Sequence, residues 1–373
     1  MPTRARRVLI AQKFAGLGGA QVSLVHHLKH LDRRRYEPHV LVARQGWLTV
    51  KLTELGVPWT VLDFGHWTNP LYLPKNLLLV WRVARYIRRH RIDLVHANEH
   101  WIAPLCYWAA RFTRIPAICH FRTGLEDLTP RRIRKYLYAR FDRVIAVAEV
   151  LGKALAQHLP DPRRVVVVRD GVESVVGPPR YHRRRGRCIV VNVGAIRKFK
   201  GQRTVLEAAL PWLKASRRHY LVLVGGITEK AYGESIEQLV RCNALGRQVL
   251  LLGSREDVPR LLDLADALVA YSSLEGVPRV VMEAMLAGRP VIVSNTPGME
   301  EVVADGEVGH IVDFDGGSNS LGRALDDLAA NPARWQALGH RGHEVAERRY
   351  STRAMSEAIQ AVYNELLHGR PES

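Results

Sequence analysis

Short apolar runs of three to five residues, rich in Val, Ile and Leu, recur along the whole chain. Such runs, without polar alternation, are the mark of strands covered on both faces. They predict strands over 7–11, 39–43, 59–62, 94–97, 117–119, 144–148 and 165–168 in the first half. In the second half they predict strands over 189–193, 221–224, 249–252, 267–270, 290–293 and 310–312. Most neighbours are separated by a helix-length segment, so the strands are expected to pair in parallel through helical crossovers. Between the two sets, 177–187 reads GPPRYHRRRGR, with two prolines, two glycines and a basic cluster. That composition marks an interdomain linker.

The expected fold is therefore α/β, with two Rossmann-like domains of similar size, 1–178 and 179–350, and a cleft between them. A last segment, 351–373, reads as a helix. Ser351 stands at its N-cap, and Met355, Ile359, Val362 and Leu366 recur at helical spacing. Its apolar stripe needs a domain surface to cover it, and either domain can supply one, packing back on the N-terminal domain being one of the two arrangements.

Length and composition fit this picture: 373 residues suffice for two cores, and 47% apolar content is ordinary. The charge is not ordinary. Of the formal net charge of +19, residues 1–180 carry +17 (30 Lys+Arg against 13 Asp+Glu), and the remainder, 25 against 23, only +2. One half is thus expected to meet something anionic. Cys106, Cys119, Cys188 and Cys242 are scattered without metal-ligand spacing or pairing, which suits a reducing compartment. The apolar segment 8–11 is too short for a signal peptide. No run approaches the ~18 apolar residues of a spanning helix. The expectation is a cytoplasmic chain whose membrane contact is peripheral, on the inner face.

The segment 272–301, SSLEGVPRVVMEAMLAGRPVIVSNTPGMEE, concentrates the candidate chemistry. A turn with Glu275, Gly276 and Val277 leads to a helix starting near Pro278, and Glu283 follows in its second turn. A strand beginning at Pro290 then leads to a second turn, Thr296-Pro297-Gly298, which opens another helix. Two strand-turn-helix junctions thus bring two carboxylates and two helix starts to one sheet edge, where ligands of open parallel sheets bind. Paired carboxylates there suit the hydroxyls of a sugar and a ribose.

Other positions fall at the same kind of edge. Gly16, Gly18 and Gly19 follow the first strand; glycines here allow close backbone approach, although no G-x-G-x-x-G pattern is present. Arg197 and Lys200, before Gly201, follow the first strand of the second half and suit a phosphate; a solvated basic loop is the alternative. His120 ends a first-half strand, with Arg122 beside it. Arg82, Arg85, Arg88 and Arg89 recur along a helix with Trp81, Tyr86 and Ile87. Arg131, Arg132, Arg134 and Lys135 precede Tyr136, Leu137, Tyr138 and Phe141, and rings also occur over 66–72. Basic helices with aromatics suit an anionic membrane surface, or else the rings are core and the arginines a solvated face. No recognition-helix or RNA-binding signature occurs, so nucleic acid is not an expected partner.

With these residues in place, the chain resembles the retaining nucleotide-sugar glycosyltransferases of family 4, which have the GT-B architecture of two facing Rossmann-like domains. The resemblance covers nearly the whole chain. Its most specific part is E-x7-E, Glu275 to Glu283, embedded in E-G-x-P-x-x-x-M-E-A-M-x-A-G-x-P-V-I, followed by Gly298, Glu301, Val302 and Val303. It implies that Glu275 contacts the donor sugar near the reacting carbon and that Glu283 holds the ribose hydroxyls. Arg197 and Lys200 bind the donor pyrophosphate and stabilise the departing charge. Gly276, Val277, Pro297, Gly298 and Met299 lie along the donor, and Gly253, Ser254 and Arg255 fall where the nucleobase packs. Gly18 and Gly19 border the donor phosphate and the acceptor, and His120 approaches the donor sugar. Two positions differ from the common pattern: Ala195 stands where many members have Arg, and Gln21 where an acidic residue is frequent.

The function expected is transfer, with retention, of a sugar from a nucleoside diphosphate sugar to a cell-surface glycan or lipid-linked acceptor at an anionic membrane. No metal and no other cofactor are expected. A sugar-nucleotide epimerase or phosphorylase of the same architecture is the enzymatic alternative. A non-enzymatic binder of anionic surfaces or nucleic acid is the remaining one.

Overall fold

The computed structural model describes residues 4–65, 67, 70–122, 128–173, 187–273, 277–303, 308–314 and 317–368. The chain divides into two compact units, one of residues 1–171 with 352–373, the other of residues 172–351.

Among the described residues the first unit has seven parallel strands: β1 (Arg6–Gln12), β2 (Tyr36–Val42), β3 (Trp59–Val61), β4 (Leu94–Ala97), β5 (Ala117–Phe121), β6 (Arg143–Ala146) and β7 (Val165–Val167). They lie in the order β3-β2-β1-β4-β5-β6-β7. The second unit has β8 (Cys188–Val193), β9 (His219–Val224), β10 (Val249–Leu251), β11 (Ala267–Ala270), β12 (Val291–Ser294) and β13 (His310–Val312). Their order is β10-β9-β8-β11-β12-β13, again parallel throughout. Every apolar run read as a strand forms one. The order reverses between β1 and β4 and between β8 and β11. At such a switch point the flanking loops diverge beyond the strand ends and leave a crevice.

Several strands start a residue or two earlier than their apolar runs, and β2 starts earliest relative to its run. β2 begins at Tyr36, three residues before 39, and includes Pro38. Val40 donates to Pro58 O where β3 comes alongside, at 2.9 Å. Pro38 has the same parity but precedes the first β2–β3 pair, Val40 with Trp59, so its missing N–H costs no ladder bond.

In the first unit, Val8, Ile10, Leu94, Ile118 and Ile145 of the sheet pack against Leu24, Val25 and Leu28 of the helix Gly19–Lys29. Met355, Ile359, Val362 and Tyr363 of the last helix, Thr352–His368, close the same core. In the second unit Val190, Leu221 and Val269 pack with Leu206, Trp212 and Leu213 on one face. Val191, Leu268 and Val293 pack with Val281, Met282 and Met285 on the other. Both faces of that sheet are buried, which explains its unbroken apolar strands.

Candidate functional site

The second switch point is built from the loops that follow β8 and β11. After β8 the chain passes Gly194 and Ala195, makes one 3-10 turn over Lys198–Lys200, and reaches Gly201 at φ 65° before the helix Gln202–Ala215. Glycine is needed at 201 on two counts. The backbone is left-handed there, and a Cβ would overlap the carbonyl oxygen of Tyr271, just beyond β11. Ser273 N–H donates to Phe199 O at 2.9 Å, so the two loops are fastened where the second one begins. Buried Gln202 donates to Ala195 O at 3.0 Å and braces the first loop from below.

That loop carries both predicted cations. The Arg197 guanidinium stacks over the Phe199 ring, 4.1 Å from its centroid, and its Nε is buried without a hydrogen-bond partner. Lys200 Nζ lies 5.5 Å from the same ring. Across the switch point, the helix Arg279–Leu286 buries Val281, Met282, Ala284, Met285 and Leu286. Arg279 and Glu283, one turn apart, are the positions of this helix that do not enter the core; the Glu283 side chain stays 27% exposed, with Arg279 Nη2 at 3.9 Å. Burial raises the Glu283 carboxyl above the usual range, and Arg279 opposes that. Val277 precedes this helix, half-buried. Glu275 and Gly276 lie outside the described residues.

The structure places the other predicted residues around this point at successive strand ends. Gly253, Ser254 and Arg255 follow β10. Gly253, at φ 64°, accepts a 2.8 Å bond from Gly225 N, while Arg255 is held bidentately by Asp257 at 2.8 and 2.7 Å. Pro297, Gly298 and Met299 open the short helix Pro297–Val303 after β12; Met299 packs in the core, so only its backbone can face a ligand. Three features escaped the sequence reading. Gly225, after β9, lies so close to the Gly194 carbonyl that a side chain would overlap it. Thr296 has a buried hydroxyl without a partner. Ser294 bridges β12 to the end of β11, accepting from Ser272 N at 3.1 Å and donating to Ser272 O at 2.8 Å. The Gly225-Gly226 pair after an apolar run was the available signal.

In the first unit the switch point holds a buried polar cluster that the sequence reading also missed. Glu99, just past β4, accepts from Gln12 at the end of β1 and from Gln21 at 3.3 Å. Asn98 donates to Gln12 Oε1 at 2.6 Å, and Gln21 donates to Phe14 O at 3.1 Å. Burial raises the Glu99 carboxyl; the Gln12 amide and the backbone N–H groups of Lys13 and Phe14 lower it again. The carboxyl thereby fixes the loop that leads to Gly18, at the helix N-cap, and Gly19, its first residue. On that loop Lys13 Nζ lies between two exposed rings, 5.7 Å from Phe14 and 5.8 Å from Trp101. Arg122 bonds Asp170 at 2.7 Å and Asn98 at 3.3 Å, joining this cluster.

His120, near the end of β5, is fully buried and belongs to a chain of hydrogen bonds. Its Nδ1 lies 2.6 Å from His96 Nε2; His96 Nδ1 lies 2.7 Å from Tyr363 Oη, and Tyr363 Oη lies 3.3 Å from His27 Nε2. A phenol is a much stronger proton donor than a neutral imidazole N–H, so Tyr363 is assigned as the donor to His96 across their 2.7 Å contact. Neutral imidazole carries one proton. His96 must then hold it on Nε2 and donate to His120 Nδ1, and His120 must carry its own on Nε2. Neutrality follows from burial first: the pKa of His27 is lowered to about 3, and those of His96 and His120 lie well below 6.5, with nearby Arg122 adding to the effect. The sign is set by linkage. Unfolded imidazoles bind protons near pH 6.5 and these folded ones do not, so stability is complete above that pH and lost as pH falls toward about 3. Urea unfolding of the first unit is expected to shift to lower urea between pH 7 and pH 4; a midpoint independent of pH would refute the assignment.

The basic surface resolves unevenly. On the helix Leu73–Arg89, Arg82, Arg85, Arg88 and Arg89 are exposed together with Leu77 (56%) and Trp81 (55%), while Tyr86 is half-buried against His39 and His90. On the helix Pro130–Lys135 the arginines are exposed, but Tyr136, Tyr138 and Phe141 are buried and form core. The rings of that second segment therefore do not join the surface. No helix among the described residues is long and apolar enough to cross a membrane.

Two parallel-sheet units, each with a switch point lined by glycine turns and polar side chains, are the parts of a glycosyltransferase of GT-B fold, and known proteins agree. The glycosyl transferases group 1 family matches residues 179–345, and glycosyltransferase family 4 matches residues 17–174. The chain belongs to this glycosyltransferase family. It is 24% identical over 345 residues to the UDP-Gal:alpha-D-GlcNAc-diphosphoundecaprenol alpha-1,3-galactosyltransferase of Escherichia coli (84% of this chain, 87% of the relative). It is 27% identical over 312 residues to the lipopolysaccharide core biosynthesis mannosyltransferase LpcC of Rhizobium leguminosarum bv. viciae (80% of this chain, 86% of the relative). The Anabaena protein Alr3699/HepE in complex with UDP superposes with a TM-score of 0.81 at 22% identity, covering 97% of this chain and all of that one.

Proposed function

We propose that this glycosyltransferase moves a hexosyl group, with retention, from a nucleoside diphosphate sugar to a glycan on a lipid carrier or cell-surface polymer, at the cytosolic face of a membrane. The observation that carries the donor half is the fastening of the Arg197–Gly201 loop to Ser273 at the β8/β11 switch point. It sets two cations on a braced turn opposite a helix bearing Glu283. Arg197 and Lys200 then bind the diphosphate and stabilise charge as it leaves. Glu283 accepts hydrogen bonds from the ribose hydroxyls, Gly253, Ser254 and Arg255 line the base, and Gly276, Val277, Pro297, Gly298 and Met299 border the sugar through the backbone. The family resemblance assigns Glu275 to the donor sugar near its reacting carbon, Gly18 and Gly19 to the phosphate, and His120 to the sugar. The reading needs no metal, because the two cations supply the neutralising charge.

The relatives named above act on a diphosphoundecaprenol-linked sugar and in lipopolysaccharide core biosynthesis. Lys13 between the exposed rings of Phe14 and Trp101 offers a cation for a phosphate and apolar faces for a sugar ring. The arginines of Leu73–Arg89, with Leu77 and Trp81, suit an anionic bilayer.

HepE has been seen with UDP and with UDP-glucose, so uridine donors are tested first. A thermal-shift screen of nucleoside diphosphate sugars is expected to raise the unfolding temperature with at least one of them, because a ligand of the native state stabilises by mass action. No shift with any nucleotide sugar would sink the donor reading. Isomerisation of a sugar nucleotide without acceptor would favour the epimerase instead.

A further inference from the structure

The first unit has a second concave feature, at the opposite end of its sheet from the switch point. A cavity of about 430 Å³ opens at the N-terminal ends of β5 and β6, and Tyr107, Arg111, Arg114, Arg140, Asp142 and Arg164 line it. Arg164 Nε lies 3.8 Å from Asp161, and the lining itself holds four arginines and one carboxylate. That carboxylate is engaged by the backbone, Asp142 Oδ2 accepting from Ala117 N–H at 2.8 Å. Arg164 is aimed by the main chain, donating to Ala139 O at 3.2 Å and Phe141 O at 3.3 Å. Arg111 and Arg140 have no carboxylate partner among the described residues. Like charges around one cavity repel each other, and an anion entering it relieves that repulsion.

The surroundings indicate which anion. Arg111 lies on the helix Ala103–Thr113, which also exposes Trp108 and Phe112, the latter by 60%. The neighbouring helix Leu73–Arg89 is joined to it by Arg88, whose Nη2 donates to Phe112 O at 3.3 Å, and exposes Leu77 and Trp81. Exposed rings and aliphatic side chains beside a cationic hollow match the boundary of a bilayer, where apolar groups enter the acyl region and cations meet phosphate. We propose that this cavity binds the phosphate of an anionic phospholipid headgroup and so docks the first unit on the membrane. The proposal rests on the membrane reading above.

The test uses the full chain, with vesicles of phosphatidylcholine alone or with phosphatidylglycerol added. The Arg111→Gln/Arg140→Gln double variant is compared with Arg217→Gln/Arg247→Gln, which removes the same charge from the second unit. Thermal unfolding with and without UDP checks folding of both. At about 1 kcal/mol per cation, partitioning to phosphatidylglycerol vesicles is expected to fall about thirtyfold in the cavity variant and less than about twofold in the control. Equal losses in the two variants, or none in the cavity variant, overturn the cavity assignment and leave the membrane reading intact. Equal binding of the unaltered protein to both vesicle types sinks the membrane reading and the cavity with it. Glycerol 3-phosphate distinguishes the two sources of a phosphate ester. If it binds the soluble protein in an Arg111- and Arg140-dependent way while phosphatidylglycerol vesicles do not, the site serves a free phosphate and the lipid assignment fails.

Discussion

Replacing Lys200 with alanine is expected to lower the rate of sugar transfer about a hundred- to a thousandfold, the usual cost of removing one group aimed at developing charge. The reason lies in how its loop is held. Gly201 presses against the Tyr271 carbonyl, Gln202 binds Ala195 O, and Ser273 binds Phe199 O. The ammonium is therefore carried on a braced turn that, on the proposed reading, need not reorganise as a diphosphate departs. The side chain belongs to no hydrophobic core cluster, so the unfolding temperature without ligand should stay within a degree or two, and any fall in kcat would not be a folding defect. Turnover in a single-turnover assay is the readout. A well-folded Lys200→Ala protein with full activity would remove this loop from the mechanism.

Replacing Tyr363 with alanine is expected to destabilise the first unit by about 3–5 kcal/mol, the range for deleting a buried ring. Tyr363 is fully buried and lies edge-on to Tyr36, with ring centroids 5.5 Å apart, and to His27 and His96, both at 5.8 Å. The gap would leave His96 Nδ1 and His27 Nε2 without their shared partner. Tyr363→Phe keeps the ring and loses the proton, so its cost should be nearer 1 kcal/mol. It should also release His96 and let His120 shift toward the Nδ1–H form, which nitrogen NMR of the imidazoles resolves. Denaturant unfolding separates the two variants. If alanine costs no more than phenylalanine, the ring is not the keystone described here, and if His120 keeps its tautomer in Tyr363→Phe, the hydrogen-bond direction is wrong.

The contrast between these residues shows what was legible in the sequence. Strands buried on both faces advertise themselves as apolar runs, and the loops after β8 and β11 carry glycine, proline and charge in a compact pattern. Arg197, Lys200 and Glu283 could therefore be singled out from local spacing. Glu99, Gln12 and Asn98 could not, because a polar residue just past a strand looks like any turn until the strand order brings β1 beside β4. The partners of His120 were hidden for the same reason: His96 and Tyr363 meet across 267 residues of sequence. Local pattern also left the rings of Tyr136, Tyr138 and Phe141 open between surface and core, since basic neighbours cannot show whether an aromatic faces inward; the structure selects core.

The last helix closes a core begun by the first strand, with the whole second unit threaded between them. During synthesis this inverts the usual order of completion. The second unit, residues 172–351, has all its strands before residue 352 is made, whereas the first must wait for Met355, Ile359, Val362 and Tyr363. Until then the apolar face formed by Val8, Ile10 and Ile118 is covered incompletely, by Leu24, Val25 and Leu28 without the last helix, and is open in part to chaperones or aggregation. A premature stop near residue 350 would thus damage the half of the protein that was translated first.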